Sequence, residues 1–314
     1  MAAPAILLMG PTGAGKTDAA IALAERLPVE IVSVDSAMVY RGFDIGTAKP
    51  SAALRARLPH HLIDICDPLT RYSVGEFLRD VEVAIAQIRG RGRIPLLVGG
   101  TMLYFRALQS GLASLPAADP EFRRALEERA RADGWPALHL ELAAVDPAAA
   151  ARIAPRDGQR IQRALEVHAL TGTPLSTLQR ENLRGARGAQ YLKVVLAPPE
   201  RASLETALER RFDAMLAAGF YAEVERLYHR GDLQPELPAL RAVGYRQLWE
   251  HAAGRRDLAT ARSDAIRATR QLAKRQYTWL RSEPGATWIG SRWGGEIGEL
   301  LHLVDGWMRG CAGL

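Results

Sequence analysis

The decisive stretch of this sequence is Gly10-Pro11-Thr12-Gly13-Ala14-Gly15-Lys16-Thr17. It follows a short apolar run, Ala5–Met9, and leads into an amphipathic run from Thr17 to Arg26. It satisfies the pattern G-x-x-x-x-G-K-[ST], with a strand expected before it and a helix after it, as in a phosphate-binding loop. Glycines let successive backbone N–H groups face a phosphate, and the helix N-terminus adds partial positive charge. The stretch therefore predicts a bound diphosphate or triphosphate.

Two side chains at the end of this loop indicate how phosphates and a cation would be held. Lys16 is one of only four lysines among 41 lysine and arginine residues, and its compact ammonium suits an outer phosphate. The Thr17 hydroxyl is a typical ligand of Mg²⁺, so we expect Mg²⁺ as the cofactor, with Thr17 as its protein ligand. ATP hydrolysis usually needs an acid at the end of a second apolar strand, but Ile94–Val98 ends in Gly99-Gly100. That absence argues against an ATPase.

Strands and helices alternate over the first hundred residues. The strands are predicted at Ala5–Met9, Glu30–Val34, His61–Ile65, Ile94–Val98 and, later, Leu192–Ala197. Such alternation is typical of a parallel α/β sheet. From about Leu115 to about Arg187 the pattern is helical, with a good helix start at Asp119-Pro120-Glu121. We predict an α/β fold: a P-loop NTPase-like parallel sheet core, residues 1–114 and 191–314, with a helical insertion domain, residues 115–190.

Three loops are expected to meet at the carboxyl ends of the strands, where doubly wound sheets bind their ligands. They are the phosphate loop, Asp35–Tyr40 and Gly99–Tyr104. Asp35 thus faces the bound phosphates, and it has two interpretations. It is a base that accepts a proton from a nucleophile, or it is a helix cap, because Asp35-Ser36 would cap a helix well. The residues alone leave both open.

Basic residues are predicted in two rows on helices. Arg156, Arg160 and Arg163 are spaced as one helix face, and Arg267, Lys274 and Arg281 are spaced by seven, with Arg270 between them. Each row alone is typical of a solvated surface helix. Two rows beside a phosphate-binding cleft, in a chain of net charge +6, favour a polyanionic partner such as RNA.

Other residue types exclude several classes of protein. Cys66 and Cys311 have no metal-ligand spacing, and His60-His61 lacks a third ligand, so we expect these histidines to be structural. The scattered tryptophans are expected in the core. No apolar run is long enough to span a bilayer. We therefore expect a cytoplasmic protein that has no membrane contact.

A colinear series of motifs from residue 5 to about residue 281 resembles the bacterial tRNA dimethylallyltransferases. The motifs are Gly10–Thr17, Asp35-Ser36 with Tyr40, Asp44–Pro50, Pro59–Asp64, Gly99-Gly100-Thr101, Gln159–Glu166, Val243-Gly244-Tyr245 and Gln271–Gln276. One position departs from the pattern, because Met38 stands where many relatives have Gln. The last thirty residues match poorly and support no prediction.

The resemblance implies the activity and assigns roles to residues. It implies transfer of a dimethylallyl group from dimethylallyl diphosphate to the N6 amino group of the adenosine 3′-adjacent to the anticodon of tRNA, with no protein partner required. The implied catalytic residues are Lys16, Asp35, Thr101 and Arg211, and the implied diphosphate-binding residues are Gly10, Pro11, Thr12, Gly13, Ala14, Gly15, Lys16 and Thr17. The implied tRNA-binding residues are Asp35, Ser36, Ala37, Met38, Thr101, Arg123, Gln159, Arg160, Ile161, Gln162, Arg163, Arg241, Ala242, Val243, Gly244, Tyr245, Arg246, Arg270, Lys274 and Arg275.

Three other activities fit parts of the sequence. A P-loop small-molecule kinase would need no basic helical insertion and would consume ATP. A prenyltransferase that acts on a free adenine nucleotide would not need the basic rows. A nucleotide-switched RNA-binding module without chemistry would leave Asp35 beside Thr101 unexplained.

Overall fold

A computed structural model describes residues 4–112, 115–182, 190–291 and 296–312. It divides the chain into two compact units. The first comprises Met1–Arg106 together with Gly188–Leu314, and the second is Ala107–Arg187. The chain thus leaves the first unit after Arg106 and returns to it at Gly188. The predicted end of the helical region, near Arg187, lies outside the described residues.

A six-stranded sheet forms the centre of the first unit. Its strands, β1 to β6, are Ala5–Met9, Val29–Val34, His60–His61, Ile94–Gly99, Tyr191–Ala197 and Thr287–Gly290. Their order across the sheet is β3-β2-β4-β1-β5-β6, and every pairing between them is parallel. The predicted α/β class with a parallel sheet is confirmed.

The edges of the sheet differ from the prediction. β3 contains only two residues, because Leu62 and Asp64 adopt left-handed φ angles of 63° and 58° that a strand does not allow. β6 was not predicted at all. It is only four residues long, too short for a reliable hydrophobic period, and it pairs with β5 from Val194–Thr287 to Ala197–Gly290.

Fourteen α-helices lie within the described residues, and none is long and apolar enough to cross a membrane. The helices of the first unit are α1 Lys16–Arg26, α2 Ala52–Arg57, α3 Val74–Gly90, α10 Arg201–Ala217, α11 Phe220–Tyr228, α12 Tyr245–Ala252, α13 Leu258–Arg281 and α14 Ile297–Ala312, while α4 Met102–Ser110 extends across the boundary. Those of the second unit are α5 Pro120–Asp133, α6 Trp135–Val145, α7 Pro147–Ala150, α8 Gly158–Thr171 and α9 Leu175–Asn182.

The core of the first unit explains why its strands form as they do. β1 and β2 are buried along their whole length, as is typical of parallel strands covered by helices on both faces. α1 packs on β1, β2 and β4, and α14 packs on α1. β1, β2 and β4 end side by side, at Met9, Val34 and Gly99. The three loops that follow them therefore meet at one edge of the sheet.

The second unit has its own hydrophobic core. Leu126, Leu138, Leu142 and Ile161 from three of its helices are each at most 3% exposed. At the start of α8, the Asp157 side chain accepts a hydrogen bond from the backbone N–H of Arg160. Arg156 therefore precedes the helix, so the expectation that it shares a helix face with Arg160 and Arg163 is wrong.

Candidate active site

The phosphate loop connects the buried end of β1 to the N-terminus of α1. Gly15 has a φ angle of 78°, a left-handed conformation that glycine adopts without strain and that turns the chain into the helix. Gly10 is needed for a different reason, because a Cβ there would lie 2.2 Å from the carbonyl oxygen of Leu196 in β5. The first N–H groups of a helix have no partner within it. The start of α1 thus offers backbone donors and the positive end of the helix dipole to an anion.

Lys16 and Arg211 place two cations at this loop. Lys16 Nζ donates a hydrogen bond of 2.7 Å to the carbonyl oxygen of Pro11. Burial, and after it the positive charge of Arg211, lower the pKa of Lys16 to about 7, although Asp35 acts in the opposite direction. Burial also lowers the pKa of Arg211, while Asp35 and Asp18 favour its charged form. Two desolvated cations that repel each other form a site suited to an anion.

Asp35 follows β2 directly, and its carboxylate is held by the backbone of its own loop. Oδ1 accepts hydrogen bonds from the N–H groups of Ala37 at 2.8 Å and Met38 at 3.3 Å. Oδ1 thus holds the turn of residues 36–39, and the next helix begins only at Ala52, so the expectation that Asp35 caps a helix is wrong. No hydrogen bond to Oδ2 is formed by the part of the chain that the structure describes, so the second oxygen can serve a ligand. Holding the turn and accepting a proton are compatible on one side chain.

Thr101 joins the Asp35 loop to the loop after β4. Its Oγ1 accepts a hydrogen bond of 3.1 Å from the backbone N–H of Ser36 and lies 3.5 Å from Ser36 Oγ. Its own N–H donates to the carbonyl oxygen of Val34 at 3.3 Å. Thr101 therefore lies beside Asp35 at the edge of the sheet, as expected.

Met38 also belongs to this loop. Its Sδ accepts a hydrogen bond of 3.7 Å from the hydroxyl of the buried Ser33, and its carbonyl oxygen accepts one from Asp64 N–H. The side chain is half-buried. Met38 offers a sulfur and apolar surface at a position where a Gln would offer an amide.

A buried lysine holds the far end of the Asp35 loop. The Lys49 side chain is 1% exposed, and its ammonium donates to the Tyr40 carbonyl oxygen at 2.9 Å, Asp44 Oδ1 at 2.7 Å and Asp64 Oδ1 at 2.5 Å. Three acceptors match the three donors of an ammonium group. Lys49 thus has a structural role, which explains the Asp44–Pro50 motif.

The expected RNA contact of Tyr245 requires correction. Its ring is fully buried, and its hydroxyl donates to Glu223 Oε1 at 2.5 Å. Glu223 also accepts hydrogen bonds from the N–H groups of Asp44, Ile45 and Gly46. A side chain inside the core cannot touch RNA, so Tyr245 is a structural residue. Gly244 is also buried.

The neighbours of Tyr245 are placed differently. Arg241 and Arg246 are exposed, and Ala242 and Val243 are half-buried. Of this predicted group, the two arginines can meet a phosphate.

The basic residues of α13 are neutralised in part by acids of α10. Arg262 donates to Asp213 Oδ1 at 2.6 Å and to Glu209 Oε1 at 3.3 Å. Arg270 donates to Glu209 Oε2 at 3.3 Å. These arginines hold the two helices together, which the spacing of charges along one helix could not show. Arg270 is therefore less available to RNA than expected.

Lys274 and Arg275 are cations of this helix that remain available. Both are exposed, and neither forms an ion pair with any residue in the described ranges. One turn further on, Trp279 is 37% exposed, with the guanidinium of Arg106 lying 5.6 Å from the centre of its ring. The expectation that the tryptophans lie in the core is wrong for Trp279.

In the second unit, two predicted RNA contacts belong to a buried ion cluster. Glu166 is fully buried, and it accepts two hydrogen bonds of 2.8 Å from Arg123 and one of 2.6 Å from Arg163. Arg163 also donates to the carbonyl oxygen of Pro116 at 2.9 Å. The Asp119 N–H donates to Glu166 as well. Arg123 and Arg163 thus stabilise this unit.

The remaining predicted contacts of α8 divide between core and surface. Ile161 is fully buried, so its side chain is a core residue and not an RNA contact. Gln162 is 9% exposed and donates to the Arg123 carbonyl oxygen and to Glu127. Gln159 and Arg160 are exposed, and Arg160 pairs with Asp157. These two residues can reach a ligand.

One residue of the site was quoted in a motif but given no role. Gln276 in α13 is 8% exposed. Its Oε1 accepts a hydrogen bond of 2.9 Å from the backbone N–H of Thr12, and its Nε2 donates one of 2.9 Å to the carbonyl oxygen of Gly100. The N–H of Thr12 is therefore already engaged. The sequence shows only a glutamine in a polar, basic segment. Its burial, which marks the contact, appears only in the structure.

The side chains fit a Mg²⁺ ion that is shared with a ligand. Across the described residues, no group of three or more His, Cys, Asp or Glu side chains could hold a metal. Thr17 is exposed at the start of α1, so its hydroxyl can bind an ion whose other ligands are phosphate oxygens and water. His61 Nε2 lies 2.8 Å from Glu30 Oε2, and His60 Nδ1 lies 2.6 Å from the Leu58 carbonyl oxygen, which explains both histidines structurally.

The sheet order, the loop after β1 and the paired cations define an α/β protein of the P-loop class, with a carboxylate and a hydroxyl beside the phosphate site. Comparisons with known proteins are specific. The chain belongs to the IPP transferase family, whose model matches residues 38–283, and an isopentenyl transferase model matches residues 4–58. The resemblance to tRNA dimethylallyltransferases is thereby confirmed.

Two proteins of similar sequence are both named tRNA dimethylallyltransferase. The tRNA dimethylallyltransferase of Halorhodospira halophila is 60% identical, over 90% of this chain and 91% of its own length. That of Bordetella petrii is 55% identical, over 96% and 97%. A solved tRNA isopentenylpyrophosphate transferase from Bacillus halodurans has a TM-score of 0.71 and 35% identity, with 98% of each chain covered. A eukaryotic dimethylallyltransferase acting on tRNA has a TM-score of 0.81 at 24% identity, covers 98% of this chain and 80% of its own, and supports the fold alone.

Proposed function

We propose that this protein transfers a dimethylallyl group from dimethylallyl diphosphate to the N6 amino group of the adenosine 3′-adjacent to the anticodon of tRNA, with release of diphosphate. The observation that carries the proposal is the grouping of Lys16, Arg211 and Asp35 at one edge of the sheet, beside Thr101. This grouping sets cations for a leaving group beside a carboxylate for a nucleophile.

The cations suit the prenyl donor, dimethylallyl diphosphate. An allylic diphosphate loses diphosphate readily, because the allyl cation is stabilised by resonance. The barrier is then lowered by groups that stabilise negative charge as it develops on the leaving oxygen. Lys16, Arg211 and the N-terminus of α1 supply positive charge there. Burial destabilises the charged forms of Lys16 and Arg211 when no anion is bound. A bound diphosphate therefore stabilises these charged forms.

The carboxylate of Asp35 suits the prenyl acceptor, the adenine amino group. During transfer, the C1–O bond of the donor breaks, a bond forms between C1 and the adenine N6, and the electron pair of the broken bond leaves with diphosphate. N6 must lose a proton, which Asp35 accepts through Oδ2. Its loop N–H groups keep Oδ1 fixed, so the carboxylate is oriented before substrate arrives. Thr101 holds the Ser36 backbone next to it.

Mg²⁺ would neutralise charge on the diphosphate when bound. Thr17 would hold it from the protein side, and the diphosphate oxygens would supply further ligands. The chain's own part is to place that hydroxyl beside the cations of the loop.

The RNA contacts are proposed on the exposed side chains. Lys274, Arg275, Arg241 and Arg246 in the first unit, and Gln159 in the second, are exposed and can meet phosphates. Arg160 is exposed as well, although it pairs with Asp157. An adenine stacked in an anticodon loop must be flipped out to reach the site, at a cost of a few kcal/mol that backbone contacts offset. A tRNA substrate fits action in the cytoplasm.

One experiment separates this function from its alternatives. An anticodon stem-loop is incubated with dimethylallyl diphosphate and Mg²⁺, and its mass is measured. We expect one dimethylallyl group to replace one hydrogen, and no reaction when guanosine replaces the target adenosine. Transfer to free adenosine monophosphate but not to the stem-loop would indicate the nucleotide prenyltransferase. Consumption of ATP with a small-molecule acceptor would indicate the kinase.

A further inference from the structure

We propose that Gln276 is a positioning residue of the transfer reaction, whose amide fixes the phosphate loop against the loop that ends in Thr101. The proposal rests on the proposed function. Gln276 is 264 residues from Thr12 and 176 residues from Gly100 along the chain. It nevertheless bonds to the backbone of both, each at 2.9 Å. One side chain thus bridges two loops of the site.

The bridge needs a primary amide. Its two hydrogen bonds use the oxygen as acceptor and the nitrogen as donor, which among side chains of this length only Gln provides. Gln276 is 8% exposed, so water is a poor substitute at either contact. Without the side chain, the Thr12 N–H and the Gly100 carbonyl would lose their partner in a partly buried place. The two loops would then be free to shift independently.

Gly100 gives independent support. A Cβ on Gly100 would lie 2.3 Å from Gln276 Nε2, closer than real Cβ atoms approach, and 3.3 Å from the carbonyl oxygen of Gly10. Its φ angle is not among the positive values of the chain, so backbone freedom does not require a glycine there. A Cβ at position 100 would therefore displace the Gln276 amide from its contact with the Gly100 carbonyl.

One of the bridged loops is proposed to hold the leaving diphosphate, and the other lies next to the proposed proton acceptor. Thr12 lies four residues before Lys16, in the loop proposed to hold the leaving diphosphate. Gly100 precedes Thr101, whose hydroxyl accepts the Ser36 N–H next to Asp35. A fixed separation between these loops sets the distance from C1 of the donor to N6 of the adenine. A misplacement of about 1 Å can cost ~10²-fold in rate.

The sharpest test is a double-mutant cycle of Gln276→Leu and Gly100→Ala. Single-turnover transfer to the stem-loop is measured well below the unfolding midpoint of each variant, at saturating donor. Each single change should slow transfer by about tenfold or more, since each breaks the same bridge. The double variant should be within about threefold of the slower single variant, because a bridge can be broken only once. Independent effects that multiply would overturn the proposal, as would a Gln276→Leu rate equal to wild type.

A second variant tests the hydrogen bond that Gln276 Nε2 donates to the Gly100 carbonyl oxygen. Gln276→Glu retains an acceptor for the Thr12 N–H but sets a carboxylate oxygen against the Gly100 carbonyl. Protonation restores a donor, so its transfer rate relative to wild type should rise as pH falls, whereas Gln276→Leu should show no such rise. A constant ratio of Gln276→Glu to wild type across pH would contradict the bridge. If wild type itself transfers no dimethylallyl group, the proposed function fails instead, and the two failures are distinct.

Discussion

The Lys16 ammonium donates a 2.7 Å hydrogen bond to the Pro11 carbonyl oxygen, within the loop proposed to hold the diphosphate. Its pKa lies at about 7, chiefly because burial disfavours the charge and also because Arg211 repels it. A bound diphosphate adds negative charge and raises this pKa. Binding at about pH 8 should therefore take up close to one proton, and affinity should fall by up to about tenfold per pH unit above the free pKa.

Calorimetry of dimethylallyl diphosphate binding, in buffers of different ionisation enthalpy, measures this uptake. Lys16→Ala should abolish it and weaken binding. Lys193→Ala is the matched control, because it removes a lysine of β5 that pairs with Glu283 and should leave the uptake unchanged. Equal proton uptake by Lys16→Ala and wild type would show that another group titrates.

Asp35→Asn separates the role of proton acceptor from that of holding the turn of residues 36–39. The amide oxygen of Asn can still accept the Ala37 and Met38 N–H groups, so we expect the fold and RNA affinity to persist. The amide cannot take up the adenine proton, and general-base catalysis is typically worth ~10²–10⁴-fold. Single-turnover transfer should fall by that factor.

The control for Asp35→Asn is Asp257→Asn. Asp257 also accepts a hydrogen bond from a backbone N–H three residues further on, that of Thr260 at the start of α13, and has no proposed part in transfer. Its variant should react at the wild-type rate. An Asp35→Asn rate within about threefold of wild type would leave only the role of holding the turn.

Acid stability should depend on Glu30, which is 3% exposed in β2. Its pKa falls to about 2, first because Arg91 donates two hydrogen bonds of 2.7 and 2.9 Å, with His61 contributing. A depressed folded pKa means that this stabilisation is complete above the unfolded pKa and is lost as pH falls towards about 2. Glu30→Gln should cost ~2–3 kcal/mol near neutral pH and flatten stability between about pH 5 and pH 2.

Urea unfolding over that pH range measures the effect. Glu250→Gln is a suitable comparison, because Glu250 pairs with Arg255 at the surface and exposed pairs contribute little. A Glu30→Gln protein whose stability follows the wild-type pH curve would show that other carboxylates cause acid unfolding.

The sequence predicts those features of the structure that depend on local patterns of residues. The phosphate loop, its strand and its helix are contiguous, so their residues indicate the site directly. The strand ends place Asp35 and Thr101 in one cleft by topology alone. What the pattern could not reveal are contacts between distant segments. Gln276 meets Thr12 across 264 residues, and β6 is too short to show a period.

Charge spacing misled for the same reason. A basic row predicts a surface but not its partners. Arg262 and Arg270 meet acids on α10, and Arg123 and Arg163 enclose the buried Glu166. Which arginines remain available to RNA depends on tertiary packing.

Tyr245→Phe tests the corrected role of Tyr245. The change removes the hydrogen bond to Glu223 inside the core and keeps the ring. Because Glu223 retains three backbone donors, the free energy of unfolding should fall by ~1–2 kcal/mol, with tRNA affinity unchanged. Urea unfolding and an RNA-binding titration measure both. A selective loss of RNA affinity without loss of stability would restore Tyr245 as an RNA contact.

The exposed cations of α13 should account for part of the salt dependence of RNA binding. Lys274 and Arg275 are exposed and have no ion pair in the described ranges, whereas Arg262 is held by Asp213 and Glu209. Each phosphate contact releases counterions, contributing about 0.7 to 0.9 to the slope of log affinity against log salt. Lys274→Ala with Arg275→Ala should therefore reduce the slope by about 1.4 to 1.8 and weaken binding uniformly across stem-loop sequences. Arg262→Ala should leave the slope unchanged, because that charge is already neutralised. If both variants keep the wild-type slope, the basic surface of α13 is a solvated helix face and the RNA phosphates lie elsewhere.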